Sequence, residues 1–377
     1  MFLALFLFVK YREELPELPS RIYSVVTERM HAMEPAIGNF LENAGMEDAA
    51  AHFESENAIH LIMGSDVHYL SQSLTDNSEA FHEMALERSG KAMMYIEEIT
   101  DAFLEEVSEE KPDALILSGD LTYYGETQSH RDLIGKLNAL QDSGVPVLVI
   151  PGNHDVGFYE ANSYSEAGQE EAERTFKGEF REFYYEFGPA QSLSVDENSF
   201  SYLYPLTDEL GVLMIDANAG EWEDEISEET LTWIEEVLAE YADDMEILAV
   251  SHEPFLDFED TDDAYTRIDK FDEILTLFGE YGVTYGFSGH VHYHDEMTEN
   301  NFTNIVTSCI SVYPLQYGEV TLDRGRLRYE PQYLNMPAWA EEHGIEDENL
   351  QNFWEYARRQ QQIYAAGRDA REREESK

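Results

Sequence analysis

Basic residues are scarce in this sequence. Its 377 residues include 79 Asp and Glu but only 23 Lys and Arg, which gives a formal net charge of -56 at pH 7. Proteins that bind nucleic acids draw their affinity from Lys and Arg placed against phosphates, and this sequence has neither a basic stripe nor a basic domain. We therefore expect no nucleic-acid partner. The excess of acids also fits a protein adapted to high salt, where screening weakens the repulsion between like charges.

Cysteine is almost absent. The single Cys309 excludes an internal disulfide and a structural zinc site built from several thiolates. Because Cys309 lies in the apolar run 305–312, we expect a small buried side chain rather than a reactive thiol.

Membrane signals are confined to the first residues. Residues 2–9 are wholly apolar, but a membrane span takes about 20 such residues, and the flanks of a complete signal peptide are not recognisable. Two interpretations stay open: a short hydrophobic arm, or the end of a signal or anchor that begins upstream. The protein is then expected in the bacterial cytoplasm, or outside it with a membrane contact through Met1 to Val9.

The apolar content is that of a globular protein with a large core, at 43% hydrophobic and 12% aromatic residues. Short apolar runs at 59–63, 114–117 and 145–150 each end in a polar loop, and helical periodicity at 80–107 and 128–140 separates them. This order of strand, helix and strand predicts an α/β protein. Further strand-like runs follow at 200–204, 211–215, 247–250, 284–287, 305–312, 317–322 and 327–329.

The sequence suggests three regions. Residues 1–57 are interpreted as an apolar arm and a helical lead-in, 58–330 as the main domain, and 331–377 as a C-terminal helical extension. Within the domain, 156–198 is rich in aromatic residues and has helical periodicity at 169–187. This segment is predicted to be a helical insert that could form a lid over the preceding motif loop.

Five polar loops follow strand-like runs and hold residues of metal-ligand type. They are Asp66-Val67-His68, Gly119-Asp120, Gly152-Asn153-His154-Asp155, Ser251-His252-Glu253 and Gly289-His290-Val291-His292. The carboxyl ends of strands in an open α/β sheet border one crevice, so these loops can converge. A D-x-H or H-x-H pair in extended backbone places both side chains on one side. The donors suit divalent ions. Seven such ligands are too many for one tetrahedral ion, but they fit two ions that share a carboxylate.

The ordered set D-x-H, G-D, G-N-H-D, H and G-H-x-H resembles the calcineurin-like metallophosphoesterases. This family includes purple acid phosphatases, Ser/Thr protein phosphatases and class III cyclic-nucleotide phosphodiesterases, and the resemblance covers residues 58–329. It implies a four-layer α/β/β/α sandwich with two mixed sheets, to which the helical N- and C-terminal extensions are added.

The resemblance also implies a role for each motif residue. The ligands of the first metal would be Asp66, His68 and His292. The ligands of the second metal would be Asn153, His252 and His290. Asp120 resembles the bridging carboxylate, and His154 resembles the residue that assists the leaving group or stabilises the phosphoryl oxygens. Asp155 would orient the imidazole of His154 through its other ring nitrogen.

The activity implied is that of a metal-dependent phosphoric ester hydrolase, in which a hydroxide held between two divalent ions attacks a small phosphate ester. Manganese or iron is expected, with zinc as an alternative. Three interpretations stay open for the function: a diester or cyclic-nucleotide hydrolase, a phosphomonoesterase, and a non-catalytic metal-binding interaction module. Tyr123 adds another alternative, since it lies where purple acid phosphatases carry an iron-binding tyrosine, although the surrounding run is more similar to generic bacterial members.

Overall fold

A computed structural model describes residues 55, 57–79, 81, 82, 85, 90–258 and 267–375, with 368–375 described as helix backbone only. The predicted arm and lead-in at 1–57 lie outside these residues, apart from 55 and 57. The described residues divide into a large compact unit, drawn from 60–320 and 329–375, and a small group made of 55, 57–59 and 321–328. No helix of the described residues has the length and hydropathy of a membrane span.

Strands and helices alternate along the chain. The strands are β1 (Ile59–Gly64), β2 (Ala114–Leu117), β3 (Val147–Val149), β4 (Asn162–Ser165), β5 (Gly168–Glu171), β6 (Ser194–Val195), β7 (Tyr202–Pro205), β8 (Leu210–Ile215), β9 (Glu246–Ser251), β10 (Tyr285–Ser288), β11 (Asp295–Glu299), β12 (Phe302–Val306), β13 (Gln316–Asp323) and β14 (Arg326–Tyr333). The α-helices are α1 (Ile96–Glu110), α2 (Thr127–Asp142), α3 (Lys177–Tyr184), α4 (Glu228–Tyr241), α5 (Phe271–Tyr281), α6 (Met336–Glu342), α7 (Glu348–Gln351) and α8 (Phe353–Glu375).

Two large sheets carry the fold. One has the order β14-β13-β1-β2-β3, and the other has the order β11-β12-β10-β9-β8-β7-β6. Strands β1, β2 and β3 run parallel, as do β8, β9, β10 and β12. Strands β11, β7 and β6 pair antiparallel at the ends of the larger sheet. The predicted α/β architecture with two sheets is confirmed.

Burial on both faces explains why the central strands have no polar alternation. All six residues of β8 are buried, which is the pattern of parallel strands covered on both sides. Helices α4 and α5 pack on the larger sheet through Ile234, Leu238, Ile274 and Phe278, which contribute to one hydrophobic cluster. Each such side chain stabilises the fold by about 1.5–3 kcal/mol when fully buried.

Helix ends follow the local sequence. Ser227 precedes α4, and its hydroxyl accepts a hydrogen bond from the N–H of Thr230 at 3.0 Å, as an N-cap residue does. Glu228 and Glu229 in the first turn favour the positive end of the helix dipole. Helix α1 ends at Lys111 in the left-handed region, with φ of 51°.

Two predictions of local structure were wrong. Within 156–198 the helix is limited to α3, because Ser165 and Gly168 close a hairpin of β4 and β5, and Gly168 supplies the positive φ of 119° that the turn requires. The run 305–312 is a strand only as far as Val306. The residues after it, 307–312, form a mostly buried loop of polar and apolar side chains, which periodicity alone does not distinguish from a strand.

Candidate metal centre

The five predicted loops follow strands β1, β2, β3, β9 and β10 and bring their polar side chains together. Asp66 and His68 are fully buried, and so is His252. Asp120 is 2% exposed. Such burial is costly for ionisable groups unless they have partners, so the cluster is a built polar site within the core.

Left-handed backbone directs these side chains. Asp66, His68, Asp120, His290 and His292 all have φ between 48° and 69°, a region that non-glycine residues rarely adopt. Such conformations cost free energy and concentrate at functional sites. The expectation that D-x-H and H-x-H lie in extended backbone was therefore wrong.

The first group of donors comprises Asp66, His68, Asp120 and His292, whose ligand atoms lie within 4.8 Å of one another. His292 Nε2 is 3.1 Å from Asp66 Oδ1 and 3.2 Å from His68 Nε2. His68 Nε2 is 3.6 Å from Asp120 Oδ2. Two carboxylates and two imidazoles at this spacing are a donor set for a divalent ion.

A second group lies against the other oxygen of Asp120. His252 Nε2 is 3.4 Å from Asp120 Oδ1 and 3.3 Å from His290 Nδ1. His252 Nδ1–H donates to the carbonyl oxygen of Ser118 at 2.8 Å, which leaves Nε2 as the donor atom of the imidazole. Asp120 therefore faces both groups, one oxygen to each. Gly152 permits this, because a Cβ there would overlap Asp120 Oδ1.

Asn153 lies in the loop after β3, next to His154, whose backbone N–H donates to Asp120 Oδ1 at 2.9 Å. The Oδ1 atom of Asn153 is buried and has no hydrogen-bond partner among the described residues, while its Nδ2 atom donates to Glu223 Oε2 at 2.5 Å. A buried polar atom without a partner calls for an explanation. A cation beside Asn153 Oδ1 supplies one, so the residues present fit a metal ion.

The charges of most donors reinforce this fit, whereas at His252 the charge of Asp120 outweighs burial and holds the pKa well above its usual value. Burial acts to raise the pKa of Asp66, but the neighbouring His292 outweighs it and holds the pKa well below its usual value. Burial likewise opposes ionisation of Asp120, whose pKa His154 and His252 hold well below the usual range. Burial lowers the pKa of His290 to about 3. Ionised carboxylates and a neutral imidazole are the forms that bind metals.

His154 lies at the edge of the site, with its side chain 15% exposed. Its Nδ1–H donates to the carbonyl oxygen of Tyr123 at 2.5 Å, and its Nε2 is 3.9 Å from Asp120 Oδ2. Tyr124 stacks on one face of the ring at 4.9 Å, and Tyr159 packs against it at 4.7 Å. These contacts fix the ring and leave Nε2 facing the metal ligands.

Asp155 does not hold the imidazole of His154. Its carboxylate accepts from the backbone N–H groups of Leu121 at 3.0 Å, Thr122 at 2.9 Å and Gly152 at 2.9 Å. The predicted orienting role was therefore wrong, because these amides use the oxygens that the imidazole would need. Burial, with the charge of Asp120, raises the pKa of Asp155 to about 7.

Several residues near the site were missed. Glu253 lies with His252 and His290 within 4.8 Å, and burial raises its pKa to about 8. Lys91 is 4% exposed. Burial is the main cause that lowers the pKa of His68 and of His154, and the charge of Lys91 lowers both further. Glu253 lies in the Ser251-His252-Glu253 loop but was given no role, and Lys91 lies outside the five motif loops.

Cys309 is fully buried, as predicted, but it also adjoins the metal ligands. Its Sγ donates to the carbonyl oxygen of Asp66 at 3.0 Å and lies within 4.8 Å of His68 and His292 donor atoms. Burial raises the pKa of this thiol to about 12, so it stays protonated at neutral pH.

These features agree with the comparisons with known proteins. The chain belongs to the calcineurin-like phosphoesterase family, whose model matches residues 61–294, and it is a metal-dependent phosphoester hydrolase. One curated relative is a probable glycerophosphodiester phosphodiesterase, GpdQ, of Arcobacter nitrofigilis, 26% identical over 244 residues that cover 62% of this chain and 76% of the relative. A dimetal phosphatase from Danio rerio has a similar fold, with a TM-score of 0.55, 13% identity, and coverage of 73% of this chain and 96% of that protein.

Proposed function

We propose that this protein hydrolyses a small phosphodiester at a dinuclear metal centre. The observation that carries the proposal is the carboxylate of Asp120, which presents Oδ2 to His68 and Oδ1 to His252. A carboxylate shared in this way is what a two-metal site requires. The printed function of the curated relative, a glycerophosphodiester phosphodiesterase, supports a diester as substrate.

The residues that would hold the ions divide around Asp120. The first ion would be held by Asp66, His68, His292 and Asp120 Oδ2. The second would be held by Asn153, His252, His290 and Asp120 Oδ1. When bound, such a pair supplies an activated nucleophile and stabilises charge on the phosphoryl oxygens. Oxygen and nitrogen donors suit manganese or iron, with zinc as the alternative.

His154 acts on the substrate rather than on the ions. Because its Nδ1–H is engaged by Tyr123, the Nε2 atom is the one that faces the site. From there it can hold a proton for the departing alcohol or hydrogen-bond a phosphoryl oxygen. A positioned acid of this kind contributes about 10²–10⁴-fold to the rate, so His154→Ala should lose most turnover while it retains both metals.

Phosphomonoester hydrolysis is the second candidate, and Lys91 favours it. Lys91 is buried, and after burial its charge contributes to lowering the pKa of His68 and of His154. Positive charge that acts on the site suits a dianionic monoester more than a monoanionic diester. The overall acidity of the chain, with a net charge of -56, disfavours large polyanionic substrates in both cases.

The test is an assay of metal-stripped protein with Mn²⁺ added back, using bis-p-nitrophenyl phosphate and p-nitrophenyl phosphate in parallel. Preference for the diester by kcat/KM supports the proposal, and preference for the monoester supports the second candidate. Hydrolysis of neither ester by protein that holds two Mn²⁺ ions would contradict both.

A further inference from the structure

The amide of Asn153 lies in a closed set of hydrogen bonds that the family motif does not contain. Its Nδ2 donates to Glu223 Oε2 at 2.5 Å and to the hydroxyl of Tyr159 at 3.2 Å. The hydroxyl of Tyr159 donates in turn to the same oxygen, Glu223 Oε2, at 2.9 Å. Two polar groups six residues apart in the chain thus meet a third that lies 70 residues from Asn153.

We propose that Glu223 and Tyr159 are positioning residues that fix the Asn153 amide with its oxygen toward the second metal, and so set the affinity of that metal. This inference rests on the proposed dinuclear centre. In this inference Asn153 is the metal ligand, and Glu223 and Tyr159 determine how well its oxygen is oriented to bind the metal.

The donor and acceptor inventory allows only one orientation of the amide. A carboxylate can only accept, and an amide offers donors on nitrogen and lone pairs on oxygen. Rotation of the Asn153 amide by 180° would place Oδ1 against Glu223 Oε2, so that lone pairs would face a negative charge. With Nδ2 committed to Glu223 and Tyr159, Oδ1 is left buried without a partner among the described residues. The carboxylate therefore decides which amide atom is presented to the metal.

Charge makes this control stronger than an ordinary contact. Hydrogen bonds to an ionised acceptor are about twice as strong as those between neutral groups. Ligand-orienting partners of this kind typically change metal affinity by about 10- to 100-fold when removed. Glu223 is partly buried, which limits the competition of water for its oxygen.

Tyr159 also connects the metal ligand to the residue that acts on substrate. Its ring packs on His154 at 4.7 Å with an interplanar angle of 36°, while its hydroxyl contacts Asn153 and Glu223. Loss of the hydroxyl alone is therefore separable from loss of the ring. Tyr159→Phe removes the first and retains the second.

The loop that carries Glu223 offers a matched control. Glu221 lies two residues earlier and is exposed. The loop is held by Glu225, which accepts from the backbone N–H of Glu221 at 2.7 Å and of Trp222 at 3.1 Å. Glu221→Ala therefore removes one negative charge from the same loop and leaves the hydrogen bonds of the Asn153 amide to Glu223 and Tyr159 in place.

The experiment is calorimetric titration of metal-stripped, full-length protein with Mn²⁺, with electron paramagnetic resonance to distinguish coupled pairs from single ions. We expect Glu223→Ala to weaken the second site by about 10- to 100-fold and leave the first unchanged. Tyr159→Phe should weaken the second site less than Glu223→Ala does. The affinity of Glu223→Gln should fall between those of the wild type and Glu223→Ala, because the Gln amide oxygen can still accept a hydrogen bond. Glu221→Ala should match the wild type, and excess Mn²⁺ should restore kcat in Glu223→Ala.

Equal affinity of the second site in wild type, Glu223→Ala and Tyr159→Phe would overturn the inference, even if hydrolysis were unaffected. A wild type that binds two ions but cleaves no ester would contradict the proposed function. The Mn²⁺ affinities of the second site in wild type and variants would still test the positioning role. A wild type that binds fewer than two ions would overturn both. Circular dichroism of each variant separates these outcomes from loss of folding.

Discussion

The phenol ring of Tyr124 stacks on the imidazole of His154, with ring centroids 4.9 Å apart and an angle of 14° between the planes. The hydrogen bond of Nδ1 to Tyr123 leaves the ring free to rock about that bond. The Tyr124 ring, together with the Tyr159 ring at 4.7 Å, limits this tilt. The stack therefore holds Nε2 in the direction of the metal ligands.

Replacement of Tyr124 should reduce turnover without loss of metal. We expect Tyr124→Ala to lower kcat about tenfold, since small misplacement of a reacting group is costly, and Tyr124→Phe to stay close to the wild type. Steady-state kinetics with parallel metal analysis checks this. Equal kcat in the two variants would show that stacking does not position His154.

Asp155→Asn should destabilise the fold more than it alters the chemistry. The carboxylate accepts from three backbone N–H groups and from the Thr122 hydroxyl, and an amide would place its own donors against some of them. We expect a loss of about 2–4 kcal/mol in the free energy of unfolding, measured by urea denaturation. A variant of normal stability that has lost turnover would instead support an orienting role toward His154.

Buried His130 should contribute to loss of stability in acid. Its Nε2–H donates to the carbonyl oxygen of Asp155 at 3.2 Å, its Nδ1 accepts from the Tyr184 hydroxyl at 3.0 Å, and burial lowers its pKa to about 3. The folded pKa lies below the unfolded value, so the unfolded state binds the proton first and stability falls as pH drops below about 6.5.

The difference between wild type and His130→Asn isolates this contribution. The variant should be less stable at pH 7, and its deficit should shrink by about 2 kcal/mol between pH 7 and pH 5. Urea denaturation at the two pH values measures it. A deficit that does not change with pH would show that His130 titrates normally in the folded protein.

Lys91 should contribute to the binding of phosphate. Its buried ammonium lies 6.0 Å from the Tyr123 ring centroid and acts on His154 through its charge. We expect Lys91→Met to raise the inhibition constant of inorganic phosphate about tenfold, or about 1.4 kcal/mol, with both metals retained.

Lys136→Met is the matched control, because Lys136 pairs with Glu97 at 2.7 Å and Asp101 at 2.5 Å, whereas none of the described metal ligands contacts it. Inorganic phosphate should inhibit Lys136→Met with the same inhibition constant as the wild type. Equal inhibition constants for the two variants would contradict the assignment of Lys91 to phosphate.

The sequence predicted the motif loops well because each one follows a strand whose last residues are buried. An apolar run such as β2 has no polar interruption, so the first polar residues after it stand out. The role of Asp155 was not predictable in the same way, since it depends on where the N–H groups of Leu121 and Thr122 point. Glu223 is 70 residues from Asn153 in sequence and belongs to no motif, so only the folded chain shows their contact.

The hairpin of β4 and β5 was missed for a related reason. Residues 169–187 combine spaced aromatic residues with many acids, which resembles a helical face, and the sign of a turn is the single Gly168. Its φ of 119° closes the hairpin, while the helical pattern holds only in α3. Local periodicity could not reveal which half of the segment would pair as strands.

The measurement that tests the account most directly is hydrolysis of bis-p-nitrophenyl phosphate as a function of Mn²⁺ added to metal-stripped protein, with wild type and Asp120→Ala compared. The account predicts that wild-type activity rises to a plateau at two Mn²⁺ per chain, and that Asp120→Ala, folded by circular dichroism, has neither the second ion nor the activity. Full activity at one Mn²⁺ per chain, or an active Asp120→Ala variant, would contradict the shared-carboxylate centre.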